Sequence, residues 1–377
     1  METSTLSVND SIHAAGCSNF EVMATNSMTT RHGRRQKGLV CSALMSLLVQ
    51  PVTARAQAEP SVLKEREPPV EVCTGKMADG SGTDFVNAMV FTPDGRNLLL
   101  GCKSGAVELR SVEGQLQFRQ QPIVHHVGHV AITPDGSLLL SVSGNTVHLW
   151  SGAGEARGSF DTTICEGCST NAAVISPDGS SLLTGHDNAA AVLWTFKGVQ
   201  LRQFEDPRPF MPYDRRIVQL AFDPDGSGIA GSDDTGTVRR WSATGRLLGE
   251  VETGFSSVNG LFITASGDLF AAGSDGAMRW DSKGKQQGTV RAEGIVNAFK
   301  LLPDGSAVVL AGMHVDDFLE MRDLQGRVLF TFLDYYHSRV SVTTLPPGAM
   351  AVSPDSKTLV VADSNRLHRW ELPMGSP

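Results

Sequence analysis

The stretch AITPDGSLLLSVSGNTVHLW, residues 131–150, decides how the rest of the chain is read. Pro134-Asp135-Gly136 is a turn triplet, because proline presets φ for the second turn position and glycine takes the positive φ that follows. Residues 130–132 and 137–142 flank it as short, β-compatible apolar runs. Gly144-Asn145 marks a second turn, and residues 146–150 alternate as a strand does. Three short strands with one wide apolar face are not stable alone. The segment requires partners elsewhere in the chain.

They are found by repetition. The turn recurs as Pro93-Asp94-Gly95, Pro177-Asp178-Gly179, Pro224-Asp225-Gly226 and Pro303-Asp304-Gly305, and in degraded form as Ala265-Ser266-Gly267 and Pro354-Asp355-Ser356. These are seven units, and the 261 residues from Pro93 to Pro354 give a mean period of 43.5. Each turn is followed at nearly constant distance by a strand-ending residue. All five tryptophans of the chain, Trp150, Trp194, Trp241, Trp280 and Trp370, stand at that phase, and Arg110 and Arg322 replace tryptophan in the first and sixth units.

A period near 43 residues closing on tryptophan resembles the WD40-repeat family. The resemblance covers residues 68–372 and implies an all-β fold, a seven-bladed β-propeller of four-stranded antiparallel blades around a central channel. The sequence departs from the family in two respects. Only Trp280-Asp281 is the literal dipeptide, and only Gly128-His129 stands where the family's Gly-His precedes a blade. The buried Asp-His-Ser/Thr-Trp hydrogen-bond network of the family is therefore expected to be missing from most blades, as in a diverged WD40-like member.

The last unit ends at its third strand, and an open ring would leave an unpaired edge. Residues 70–77, VEVCTGKM, alternate and have no other assignment. They are expected to supply the fourth strand of blade 7, so that the N- and C-terminal segments share it. The expected organisation is a leader over 1–56, a linker over 57–67, the propeller over 68–372 and a tail over 373–377. A 305-residue domain exceeds the size at which a single core divides, but a propeller distributes its core between neighbouring blades.

Between Glu21 and Glu59 there is no acidic residue, while Arg31, Arg34, Arg35 and Lys37 precede an apolar run over 39–49 and the small-x-small site Ala54-Arg55-Ala56. That order describes a secretory signal peptide, with translation expected to begin at Met23 or Met28. The expected location is periplasmic or secreted; an organelle transit peptide, or a cytoplasmic protein with a plain tail, is the competing reading. The apolar run is too short for a membrane span. Without residues 1–56 the chain carries 37 acidic and 27 basic residues, a net charge of −10. This excludes nucleic acid, whose binding needs clustered Lys and Arg, and leaves a monomeric propeller with protein partners as the expectation.

Cys165-Glu166-Gly167-Cys168 is the one short cysteine spacing. It lacks the histidine of a haem site and the second pair of a zinc site. A local disulfide between Cys165 and Cys168, two free thiols and, as the lesser reading, a functional redox pair stay open as alternatives.

Two long intervals between turns, 47 residues from Pro177 to Pro224 and 51 from Pro303 to Pro354, hold all three tyrosines. Insertions on one face of a repeat protein mark its binding side, and Tyr, Phe, Met and Arg are enriched at interface hot spots. The candidate partner-binding residues are Arg208, Phe210, Met211, Tyr213 and Arg215 in the first loop, and Tyr335, Tyr336, His337 and Arg339 in the second. The competing reading has these aromatics plugging the channel mouth or covering blade edges. His125, His126, His186 and His314, with Asp187, Asp316 and Asp317, fall on the same expected face without tight ligand spacing. No catalytic motif, cofactor motif or metal motif is present. The expected function is a non-catalytic protein-interaction scaffold. A propeller enzyme, or a ligand- or metal-binding sensor using the loops of that face, is the alternative.

Overall fold

The computed structural model describes residues 61–66, 69–75, 82–121, 126–205, 215–274, 276–292, 294–313, 317–332 and 349–373. The expected leader lies outside them. Two short strands come first, β1 (Ser61–Val62) and β2 (Val70–Glu71). Blade 1 is β3 (Val86–Phe91), β4 (Asn97–Cys102), β5 (Val107–Ser111) and β6 (Leu116–Gln120). Blade 2 is β7 (His129–Ile132), β8 (Leu138–Ser143), β9 (Thr146–Ser151) and β10 (Ala156–Asp161). Blade 3 is β11 (Thr170–Ile175), β12 (Ser181–His186), β13 (Ala191–Thr195) and β14 (Gln200–Phe204). Blade 4 is β15 (Ile217–Phe222), β16 (Gly228–Asp233), β17 (Thr237–Ser242) and β18 (Leu247–Glu252). Blade 5 is β19 (Val258–Ile263), β20 (Leu269–Gly273), β21 (Gly276–Trp280) and β22 (Gln286–Arg291). Blade 6 is β23 (Ile295–Leu301), β24 (Ala307–Met313), β25 (Asp317–Asp323) and β26 (Val328–Thr331), and blade 7 begins with β27 (Met350–Val352), β28 (Thr358–Asp363) and β29 (Arg366–Glu371).

Consecutive strands pair antiparallel within each blade. The first strand of each blade lies against the first strand of the next, and β27 returns to β3, which closes a ring of seven. Those first strands are innermost. Fourth strands such as β10 and β18 form the exposed rim.

The turn triplets join first and second strands, as their residues require. Gly95, Gly136, Gly179, Gly226, Gly267 and Gly305 have φ between 69° and 80°. Ser356, which replaces glycine in the seventh copy, is held at φ 59°. The turn aspartate fixes the local geometry: Asp135 Oδ1 accepts from Thr133 Oγ1 at 2.6 Å and from Ser137 N at 3.0 Å.

Closure occurs in blade 7 through β2, as expected, with Val70 opposite Leu367 and Glu71 opposite Arg366. The strand is shorter than the alternation over 70–77 suggested. After Val72 N donates to Asn365 O at 2.8 Å, Cys73 adopts φ 49° and the chain turns into blade 1, where Cys73 is disulfide-bonded to Cys102 of β4. Residues 76–77 lie outside the described residues. Upstream, Glu65 bridges Trp370, and β1 adds to β26 as a parallel fifth strand of blade 6. One N-terminal segment therefore ties blades 6, 7 and 1 together.

Three of the five tryptophans, Trp194, Trp241 and Trp370, pack against an aromatic ring of the preceding blade. The residue on the rim strand opposite the position three before the repeat's final residue faces the next blade. Phe160, opposite Val147, packs on Trp194 with centroids 6.4 Å apart, and Phe204, opposite Ala191, packs on Trp241 at 6.4 Å. Phe332 packs on Trp370 at 5.7 Å. At the same rim position Val290 and Val70 precede Arg322 and Arg110, while Val251 precedes Trp280 and Gln120 precedes Trp150. Each arginine is held locally. Arg110 Nε donates to Glu108 at 2.6 Å and its Nη1 to Gly114 O at 3.0 Å; Arg322 Nε donates to Glu320 at 2.9 Å and its Nη1 to Gly326 O at 3.1 Å.

Candidate functional site

The loops between second and third strands, and those between blades, lie at the end of the ring opposite the turn triplets. At blades 2 to 4 they are locked by side chains. Asn145 Nδ2 donates to Thr163 Oγ1 at 3.1 Å and Cys168 O at 2.7 Å, and its Oδ1 accepts from Thr170 N at 2.8 Å. Cys165 and Cys168 form a disulfide rather than two free thiols. Asp187 accepts from Ser169 N at 2.8 Å and from Asn171 Nδ2 at 2.7 Å. Asp234 accepts from Arg216 N at 3.0 Å and Nε at 2.9 Å. Arg215 stands beside this frame, its backbone bridged to Asn188 across the junction of blades 3 and 4. Of the candidate partner-binding residues only Arg215 is described; Arg208, Phe210, Met211, Tyr213, Tyr335, Tyr336, His337 and Arg339 lie outside the described residues.

Among the described histidines, His186 does not stand on this face. His186 is fully buried in β12, and its Nε2 is 2.8 Å from Thr184 Oγ1, which accepts from Trp194 Nε1 at 2.7 Å. Trp150 Nε1 likewise donates to Ser141 Oγ at 3.2 Å. The hydroxyl-to-tryptophan half of the WD40 network thus survives in blades 2 and 3. Trp241 bonds instead to the Glu205 carbonyl at 3.2 Å. His125, His314 and Asp316 lie outside the described residues. Among the described residues the one group with metal-compatible spacing is Cys73, Cys102 and Glu108, and its two sulfurs are joined in the disulfide.

Desolvation pushes the His186 pKa down to about 4, against the opposing pull of Asp187, and desolvation does the same to His129, also to about 4. A depressed folded-state pKa means that the unfolded chain binds more protons between pH 6.5 and pH 4. Stability is therefore full above pH 6.5 and falls as the pH drops toward 4, by roughly 2 kcal/mol per histidine between pH 7 and pH 5. Denaturant melts at the two pH values check this. His186→Gln should flatten the dependence, and an unchanged slope would show that the ring does not titrate this way.

The innermost strands carry a signal that the turn pattern overshadowed. Val86-Asn87-Ala88, Thr170-Asn171-Ala172, Val258-Asn259-Gly260 and Val296-Asn297-Ala298 place asparagine six residues before the proline phase of the turn. Asn87 Nδ2 donates to Val127 O at 2.8 Å and Asn259 Nδ2 to Val296 O at 2.7 Å, each clamping its blade to the next. A second scan of the repeat, aligned on the triplet, would have found them.

Below this rung the inner strands are apolar. Of the 21 residues at the last three positions of these seven strands, 20 are apolar and one is Lys300. Its ammonium lies 5.9 Å from the centre of the Phe262 ring on the neighbouring blade, and burial holds its pKa below the usual lysine value.

Comparison with known proteins agrees with this architecture. The family model for the WD domain, G-beta repeat, matches residues 118–151, the segment that contains β7, β8 and β9. The chain is a WD40-like propeller. The match covers one repeat, and the structure extends the same unit to seven blades. No curated protein matches the chain. Among the described residues of the propeller, no helix is long and apolar enough to cross a membrane.

Proposed function

We propose that this WD40-like propeller is a non-catalytic, exported scaffold that binds a protein partner on the face opposite the turn triplets. The carrying observation is the frame at blades 2 to 4, where Asn145, Asp187, Asp234 and the Cys165–Cys168 disulfide fix the loop backbones. A surface already ordered loses little conformational entropy on docking. The segments 206–214 and 333–348, which hold the aromatic and arginine candidates, leave β14 and β26 at that same end of the ring. WD40 propellers commonly serve as interaction scaffolds, and nothing in the fixed frame assembles a nucleophile with a base. Two disulfides among the described residues support an oxidising compartment, periplasmic or extracellular.

The test is affinity capture from the native host with the full chain and with Phe210→Ala, Tyr213→Ala, Tyr335→Ala and Tyr336→Ala. Removing an interface anchor weakens partner binding by about 30-fold or more, with the melting temperature held within about 2 °C. A lowered melting temperature with partner binding retained would make these aromatics structural covers and overturn the reading.

A further inference from the structure

Lys300 stands at the middle of the three apolar positions, level with Val90, Ala131, Val174, Ala221, Phe262 and Ala351 of the other six innermost strands. It is half-buried on a strand that faces the channel. Its ammonium makes no hydrogen bond and no ion pair among the described residues, and it sits over the face of Phe262. A cation over an aromatic face recovers only part of the hydration it has lost. Among the described residues, the buried and half-buried arginines of blade 4 are answered by a carboxylate. Arg239 meets Asp233 at 2.9 Å and Arg240 meets Asp223 at 2.6 Å. Lys300 is the one Lys or Arg on the seven innermost strands, and those strands carry no Asp or Glu to answer it, although the chain is acidic overall.

We propose that Lys300 marks an oxyanion site in the central channel, binding a small carboxylate or phosphate against its ammonium with the Phe262 ring as the site's apolar wall. The anion completes a charge that the fold leaves uncompensated, beside apolar inner-strand residues that limit competing water and so strengthen the contact. The site lies near the turn-triplet end of the channel, because Lys300 is three residues from Pro303, so it is separate from the proposed partner face. Each can therefore be lost without the other.

The experiment is titration of the full chain with inorganic phosphate, and separately with acetate, at constant ionic strength, followed by calorimetry and thermal melting. Saturable one-to-one binding of either anion is expected, with Lys300→Arg retaining it and Lys300→Met weakening it by at least about tenfold. In the unmodified protein the same anion should slow acylation of the Lys300 amine, a readout that needs no variant. Equal anion responses in the wild type and in Lys300→Met, or no saturable binding of either anion below roughly 10 mM, would overturn the proposal.

Discussion

Glu108→Ala is expected to destabilise the protein by about 3–5 kcal/mol, because it leaves two arginines facing a buried space with no counter-charge. Glu108 is completely buried and accepts from Arg110 Nε at 2.6 Å and from Arg119 Nη1 at 2.5 Å, and its carboxylate also receives the Cys73 amide at 3.3 Å. It therefore joins the third and fourth strands of blade 1 to the incoming N-terminal segment. The loss should be read from the denaturant midpoint, with an unchanged slope as the sign that unfolding stays cooperative. A companion variant separates charge from packing. In blades 2 and 7 the same pair of positions is histidine and tryptophan, stacked with centroids 6.1 Å apart in His148–Trp150 and 6.2 Å in His368–Trp370. Glu108→His combined with Arg110→Trp should recover part of the loss, since Arg119 is peripheral enough to turn toward water. A cost below about 1 kcal/mol for Glu108→Ala would show that the triad is solvated and carries no structural load.

Opening the Cys73–Cys102 disulfide should cost about 3–4 kcal/mol, the loop-closure entropy of a cross-link over a sequence separation of 29. Both cysteines are completely buried, and the bond joins the segment that completes blade 7 to the second strand of blade 1. Cys73→Ser with Cys102→Ser is thus expected to shift the denaturant midpoint strongly. Cys165→Ser with Cys168→Ser, whose bond spans a separation of only 3, should cost under about 2 kcal/mol. Removing residues 61–75 altogether should go further. It would uncover the edges of β26 and β29 together, and exposed edges recruit other chains, so size-exclusion chromatography should show aggregation. A midpoint that is the same in oxidised and reduced protein would remove the disulfide from any part in closure.

The blade count, the turn triplets and the sharing of blade 7 by both ends of the chain were legible in the sequence. Each is a periodic or local feature: a left-handed φ needs glycine, an alternating run needs a face, and an unfilled strand position needs a partner. The substitution of arginine for tryptophan at residues 110 and 322 was visible, but the carboxylates of Glu108 and Glu320 and the carbonyls of Gly114 and Gly326 that hold the two guanidinium groups emerge only in the fold. The same holds for the asparagine clamps, whose acceptors lie one blade away, and for His186, which a surface reading of the loops placed outside when its strand carries it into the core. Cys165–Cys168 was left open by its spacing and is bonded in the fold.

The amino-acid order by itself determined the repeated unit, since strands, turns and the apolar stripe are written in residues a few positions apart. Tertiary structure alone decided which repeat meets which partner. The bond from Cys73 to Cys102, the parallel addition of β1 to blade 6 and the isolation of Lys300 within an apolar ring depend on closing the circle. Closure brings together groups far apart along the chain, and no local pattern of residues records the neighbours it creates.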